Sequence, residues 1–393
     1  MSYTASLPRR LAVLTAGLAT CLAGLVATAP EPQAASPTAA AAVRAAALRA
    51  PDSYTPRPGA LFNKPTGTRR QQYRLFTHIN RTINSSPRGS IIRIAVFSFA
   101  DMRTADNLIR AHRRGVDVKL VFDDHAVYDA ERKLQRVLGK NPRHRSFAIL
   151  CDKSCRSTAG EMHAKVDLFG RAGGATRITM VGSNNMTSHN AERQWSDLTT
   201  MTNNRPMFGT FRRWFGELKW DRPVDQPRIA RLAGRYLALI TPQDWEKDGD
   251  PALKALAPVA CPAAPGRTRV LISAHAWYGP RGMKIADRVA ALAEKGCVVK
   301  VFYGEAFGTE IHKKLKAAGV RLATSRHRGI KTHQKLLIVR GAYGGNPRGA
   351  FVWTGSHNWS PWALKLDDVI LRTSKTSVVD AYTRHFSYMF DHA

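Results

Sequence analysis

His163-Ala164-Lys165, then Gly182-Ser183-Asn184-Asn185, and later His333-Gln334-Lys335, then Gly355-Ser356-His357-Asn358: one short block occurs twice in the chain. Each copy supplies an imidazole, an ammonium and a small polar turn. Each histidine is followed 34 residues on by a carboxylate, Asp197 in the first copy and Asp367 in the second. A histidine with an acid to orient it, beside a lysine and amide donors, is the side-chain set that attack on a phosphate ester needs.

The repetition extends outward from the blocks. Upstream of the first, Ile91 to Phe97 reads as a buried strand, Ala105, Leu108, Ile109 and His112 fall at helical spacing, and Arg114-Gly115 leads into a second strand, Val116 to Phe122. Upstream of the second, Val270 to Ala274 is the strand, Ile285, Val289 and Leu292 mark the helix, and Lys295-Gly296 leads into Val298 to Phe302. The shared order of strand, helix, glycine and strand predicts α/β layering around mixed or parallel sheets. Downstream, Phe208, Phe211, Phe215 and Leu218 form an apolar helical stripe, matched by Val378, Tyr382, Phe386 and Met389. These readings divide the chain into a first α/β domain at 59–225, a connecting segment at 226–265 and a second α/β domain at 266–393.

The N-terminus reads differently. Arg9 and Arg10 precede an apolar run from Leu11 to Ala29, and small residues follow at Ala34-Ala35, the layout of a secretory signal peptide over residues 1–35. The competing reading is an uncleaved anchor. Residues 36–58 read as an alanine- and proline-rich linker, and export makes the mature protein extracellular. Five cysteines become four when Cys21 leaves with the signal, and spacing favours Cys151 with Cys155 and Cys261 with Cys297, although four cysteines allow three pairings. Zinc is a poor fit to one close pair and two distant singles.

The net charge is +31, and loss of residues 1–35, with Arg9 and Arg10 against Glu31, changes it by a single charge. Such a field draws polyanions: nucleic acid, an anionic membrane contacted peripherally, or cell-wall polymers. A solvated arginine-rich surface is the plainer alternative.

The paired HxK and GSxN blocks, the opening Ile94-Ala95-Val96-Phe97-Ser98-Phe99 and the Arg114-Gly115-Val116 step resemble the phospholipase D superfamily in its secreted bacterial form, over about residues 60–393. The resemblance implies two α/β/α sandwich domains related by a pseudo-twofold, with both motifs meeting at one active site. Because both motifs lie on one chain, a monomer suffices. One departure stands out: the family motif HxKx4D carries an aspartate where this chain has Gly170 and Arg340. The tyrosyl-DNA phosphodiesterase branch also lacks that aspartate.

For the chemistry, Lys165 and Lys335 neutralise the phosphate oxygens, Asn185 and Asn358 are further donors, and Ser183 and Ser356 bind substrate. One histidine attacks phosphorus and the other protonates the departing alcohol. The resemblance implies that His163 attacks and His333 is the acid. Local charge leans the other way, with Glu161 beside His163 and Arg326, His327, Arg328 and Lys331 ahead of His333. Asp197 and Asp367 are expected to orient the rings through the distal nitrogens. No metal or other cofactor is required by this scheme. Phospholipid is the leading substrate; nucleic acid and a non-catalytic polyanion-binding role are the alternatives. Of the aromatics near the second block, Trp353, Trp359 and Trp362, core positions are the simpler expectation.

Overall fold

The computed structural model of the protein describes residues 53–261 and 266–393. The expected signal peptide lies outside them. Among the described residues no helix is long and apolar enough to cross a membrane. Both expected disulfides, Cys151–Cys155 and Cys261–Cys297, are formed.

The first half contributes strands β1 (Gly59–Phe62), β2 (Ile91–Val96), β3 (Asp117–Asp123), β4 (Phe147–Cys151), β5 (Lys165–Ala172), β6 (Ala175–Gly182), β7 (Gln194–Trp195) and β8 (Asp197–Met201). The second contributes β9 (Ile229–Ala233), β10 (Tyr236–Ile240), β11 (Arg269–Trp277), β12 (Val298–Phe307), β13 (Arg321–Ala323), β14 (Lys331–Thr332), β15 (Lys335–Tyr343), β16 (Asn346–Gly355) and β17 (Val369–Thr373). Two mixed sheets result, ordered β1-β8-β6-β5-β2-β3-β4 and β9-β10-β17-β16-β15-β11-β12-β13. In each, the two strands of the expected strand-helix-glycine-strand order are parallel, a third, β4 or β13, continues them, and the first strand of the motif-bearing hairpin, β5 or β15, runs antiparallel to them.

The seven strands of the first sheet match seven of the second, with β10 where β1 stands and β9 added beyond it. Segment 226–265, expected as a connection, is thus built into the second sheet: β10 pairs with β17 as β1 pairs with β8. Its prolines and weak periodicity hid this. Before β1, Tyr54 reaches the His78 ring and Thr55 takes the Gly174 amide, so the end of the expected linker is tied to the first half.

Strand alternation sends one set of side chains to each face of a sheet. On the outer face of the first, Ile92, Ile94, Leu120 and Phe122 pack under helices α1 (Arg74–Asn84), α2 (Met102–Arg113) and α3 (Asp129–Leu138). Asp101 caps α2 by accepting from the Thr104 amide at 2.8 Å. Gly115, with φ +88°, turns the chain from α2 into β3, and Gly296, with φ +94°, makes the same turn in the second half. Helix α4 (Arg205–Leu218) lies between the sheets: Phe211, Trp214 and Phe215 share a core with Ala95, Val121 and Val181 of the first and with Ala238, Val369 and Leu371 of the second. Helices α5 (Gly279–Glu294) and α6 (Thr309–Ala317) cover the outer face of the second sheet. Helix α7 (Thr376–Asp391), the counterpart of α4, packs Val378, Tyr382 and Phe386 against Leu271, Ile338 and Val352, with Phe62 of β1 at its edge. Each such fully buried side chain contributes about 1.5–3 kcal/mol, so the two central helices bind the halves to each other.

One polar cluster does the same. The fully buried Arg156 donates to Glu217 at 2.9 Å, Asp367 at 3.4 Å and the Thr241 carbonyl at 3.3 Å, and also to the Pro227 carbonyl. Arg156→Met would strand a buried carboxyl and two carbonyls. A loss of about 3–5 kcal/mol is expected, read as a shifted urea midpoint, while Asp367→Asn, still an acceptor for Ser154, should cost less.

Candidate active site between the two halves

The two blocks are brought together because each HxK histidine sits just before a central strand and each GSxN turn just after the next. Lys165 pairs with Val96 at the end of β2, and Lys335 with Ala274 on β11. A small parallel ladder, β7 with β14, carries the second block onto the first half, and the His333 amide continues it by donating to the Trp195 carbonyl at 2.9 Å.

Each catalytic-type histidine is held by the opposite half. His163 Nδ1 lies 2.8 Å from an Asp368 carboxylate oxygen, and His333 Nδ1 lies 2.7 Å from the Ser183 carbonyl oxygen. A carbonyl only accepts, so His333 carries its proton on Nδ1 when neutral; a carboxylate on His163 Nδ1 sets the same tautomer. Both rings then present an Nε2 lone pair. The Lys165 and Lys335 ammonium groups donate to the carbonyls of His163 and His333, the latter at 2.7 Å. The half-buried side-chain amides of Asn185 and Asn358 have no hydrogen-bond partner among the described residues, and their oxygens are occluded from solvent.

The motif glycines have a steric cause. A Cβ at Gly182 would lie 2.3 Å from the Asp197 carbonyl oxygen, and one at Gly355, where φ is +138°, would lie 2.0 Å from that of Val369. Only glycine lets the neighbouring strand approach so closely.

Asp197 and Asp367 do not orient the rings. Asp197 accepts from Ser183 at 2.7 Å, from Tyr382 at 2.6 Å and from Thr354. Asp367 accepts from Ser154 at 2.8 Å and from Arg156. The equal spacing was misleading because the two hairpins differ in length. The Ser183 amide donates to the Asp197 carbonyl, whereas the Ser356 amide donates to that of Val369, so the counterpart of Asp197 is Val369 and that of Asp368 is Ser196. The serine hydroxyls are likewise turned away from the expected substrate: both are fully buried, Ser183 bonded to Asp197 and Ser356 to the Val369 amide.

Burial and the neighbouring cations set the protonation states. Burial, then Lys165, lower the His163 ring to about 4 against the opposing pull of Asp368. Burial would raise the Asp368 carboxyl, but His163, His357 and Ser356 hold it well below the ordinary carboxylate range. Burial, Lys335 and His275 lower His333, and burial lowers Lys165 to about 7 and depresses Lys335 strongly as well. Both rings are therefore neutral in the free protein near pH 7.

A cleft opens over His163, lined from both halves by Phe97, Glu161, Tyr278, Asn358 and Trp362. Trp353 and Trp359 are core, but Trp362 is 58% exposed. Glu161 forms no ion pair among the described residues, and burial, with Asp123 next, raises its carboxyl. Asp368 escaped the sequence reading although it adjoins Asp367. His357, inside the second turn, was also passed over; it lies 3.0 Å from Arg281 and 3.7 Å from Asp368. Gly170 and Arg340 lie five residues along their strands from the lysines, about 17 Å at strand rise, and Arg340 pairs with Asp380. An aspartate there could not touch the phosphate site. The single group of His, Cys and carboxylate side chains among the described residues close enough to share a metal ion is Cys151, Cys155 and Asp221, and its two sulfurs are bonded to each other.

Comparison with known proteins agrees with this arrangement. The family model described as cardiolipin synthase, PLD-like domain, matches residues 79–220 and 267–390, one span in each half. Among solved structures, phosphatidylserine synthase from Haemophilus influenzae aligns with TM-score 0.55 and 12% identity, over 85% of this chain and 88% of that one. Polyphosphate kinase from Porphyromonas gingivalis aligns with TM-score 0.55 and 14% identity, over 85% of this chain, which spans only 50% of that kinase. No curated protein sequence gave a significant match. At these identities the structural likenesses speak for the fold, while the twice-matched family model covers most of the sequence: the chain belongs to the phospholipase D superfamily, whose members are phosphodiesterases and phosphotransferases.

Proposed function

We propose that the protein is an exported phospholipase D-type phosphodiesterase that hydrolyses phospholipid headgroup esters through a phosphohistidine on His163. The observation that carries this reading is the unequal support of the two rings, a carboxylate behind His163 and a carbonyl behind His333. A carboxylate on Nδ1 raises the nucleophilicity of Nε2 and stabilises the positive ring that forms when Nε2 bonds to phosphorus. A carbonyl orients a ring with no such charge, which suits the group that gives up a proton.

In the first step His163 Nε2 attacks phosphorus, the bond to the headgroup oxygen breaks, and His333, protonated once the anionic phosphate has entered, donates its Nε2 proton to that oxygen. In the second, His333 takes a proton from water, whose oxygen displaces His163 from phosphorus. Lys165, Lys335 and the free amides of Asn185 and Asn358 bind the non-bridging oxygens, where charge accumulates. The preference for phospholipid rests on the cleft: in a chain of net charge +31, the opening over His163 is lined by a carboxylate without an ion pair among the described residues, Glu161, set among Phe97, Tyr278 and Trp362. Such a wall suits the apolar body of a lipid better than a polyanion, whose further phosphates Glu161 would repel. The net charge itself is what favours the second reading, a nuclease.

Phosphatidylcholine vesicles, anionic vesicles and plasmid DNA, offered with a chelator at low and moderate salt, decide between them. Choline release that persists with chelator is expected. DNA cleavage that falls steeply with salt while lipids stay intact would transfer the assignment to the nuclease.

On the cleaved substrate, His163→Asn and His333→Asn should each lower turnover by about 10²–10⁴-fold. Alkaline quenching should leave labelled phosphate on the peptide containing His163, and label on the His333 peptide would reverse the roles. Asp368→Asn should cost about 100-fold or more in turnover, whereas Asp197→Asn should act on stability; equal turnover losses from both would contradict the unequal-support argument.

A further inference from the structure

The second half carries an imidazole that the scheme above does not use. Because Val96 pairs with Lys165 and Ala274 with Lys335, the next residues, Phe97 and His275, stand at the same place in the two halves. Phe97 lies 4.8 Å from the His163 ring and offers its face to Lys165 at 4.9 Å. His275 lies 4.4 Å from the His333 ring, tilted by 58°. Where the nucleophile's side has a carbon ring, the leaving-group side has a second base.

The orientation of His275 is fixed. Its Nδ1 lies 3.1 Å from the Thr332 carbonyl oxygen, its amide donates to the Gln334 carbonyl at 2.9 Å, and a Cβ on Gly304 would come within 2.9 Å of its Cα. The carbonyl fixes the Nδ1 proton, so Nε2 carries the lone pair, and among the described residues it has no hydrogen-bond partner. Burial, then Lys335, lower the ring to about 3 against the opposing bond to the Thr332 carbonyl, so in the free protein it is neutral beside a neutral His333. Two neutral imidazoles with open Nε2 atoms share the side of the site from which the alcohol departs.

We infer that His275 is a second general acid-base on the leaving-group side, sharing with His333 the one proton that substrate brings into the site. The inference rests on the assignment of attack to His163. When the phosphodiester binds, its charge draws one proton from solvent onto the His275–His333 pair. As the His163 nitrogen–phosphorus bond forms and the phosphorus–alcohol bond breaks, that proton passes to the alcohol oxygen. As water replaces His163 on phosphorus, the pair takes one water proton back, and no oxidant or metal enters the balance. A second base also gives the proton a route to solvent that does not displace His333 from the Ser183 carbonyl.

The test separates proton transfer from support. A choline ester needs its leaving oxygen protonated; a p-nitrophenyl phosphodiester, with an acidic leaving phenol, does not. His275→Phe, which repeats the ring of the first half, and His275→Gln should each slow the first-turnover burst of choline about 10- to 100-fold and leave the first-turnover burst of p-nitrophenol, which precedes attack by water, within about twofold. Equal losses on both esters, or none on either, would overturn the inference. A second measurement needs no turnover: ¹⁵N NMR of the imidazoles during titration with inorganic phosphate near pH 7. Protonation is expected to appear at His275 Nε2 together with His333, and a His275 resonance unmoved while that of His333 shifts would overturn the inference. If no headgroup is released by the unaltered protein yet His275 responds to phosphate, the lipid assignment fails and this one stands.

Discussion

The contact between His163 and Asp368 joins two groups 205 residues apart and exists only if both halves are folded and docked. It also decides how charge is distributed around it. An isolated carboxylate at that depth would be strongly disfavoured; here it faces His163 and His357, with Lys165 and Lys335 close enough to act on its neighbours. Removing any one of these groups leaves another uncompensated, so the site behaves as one electrostatic unit rather than as separable side chains.

The docking that the contact demands is supplied by ordinary packing. Helices α4 and α7 fill the space between the sheets with Trp214, Phe211, Tyr382 and Phe386, and the Arg156 cluster ties the Cys151–Cys155 loop to Asp367. Asp367 thereby takes a structural role one residue away from the carboxylate on the nucleophile. Its carboxyl, raised to about 7 by burial against the opposing pull of Arg156, has no path to either ring.

Much of this was legible in the sequence, for stated physical reasons. The strand-helix-glycine-strand order predicted the parallel part of both sheets because Gly115 and Gly296 mark a turn that other residues strain to make. The aromatic stripes gave α4 and α7. The motif histidines and lysines were legible because their block occurs twice, and the structure places both copies at strand ends between the halves. What escaped were contacts between the halves, which no local spacing encodes. Asp197 and Asp367 shared an offset from their histidines, yet the longer second hairpin shifts register, and a register shift changes which residue points into a site. His275 stood in plain view at the end of a strand but gained meaning only once Val96 and Ala274 were found at equivalent positions. Segment 226–265 hid β10 because Tyr236–Ile240, paired on both sides, is apolar at every position and so shows no alternation in the sequence.

The halves are therefore alike in scaffold and unlike in chemistry: Asp368 stands against Ser196, and His275 against Phe97. A symmetric site with two equivalent histidines would have no reason to attack with one and protonate with the other. The carboxylate behind one ring and the imidazole beside the other break that equivalence in complementary directions: in the proposed scheme the first strengthens the nucleophile and the second enlarges the capacity to hold a proton. Charge is divided by range in the same way. The net +31 acts over distances up to about 8 Å in physiological salt and brings the protein to anionic surfaces of any kind, whereas discrimination belongs to contacts in the cleft. There Glu161, without an ion pair among the described residues, opposes the field of the whole chain beside His163, so the attraction that gathers the protein onto a polyanion does not by itself admit that polyanion to the cleft.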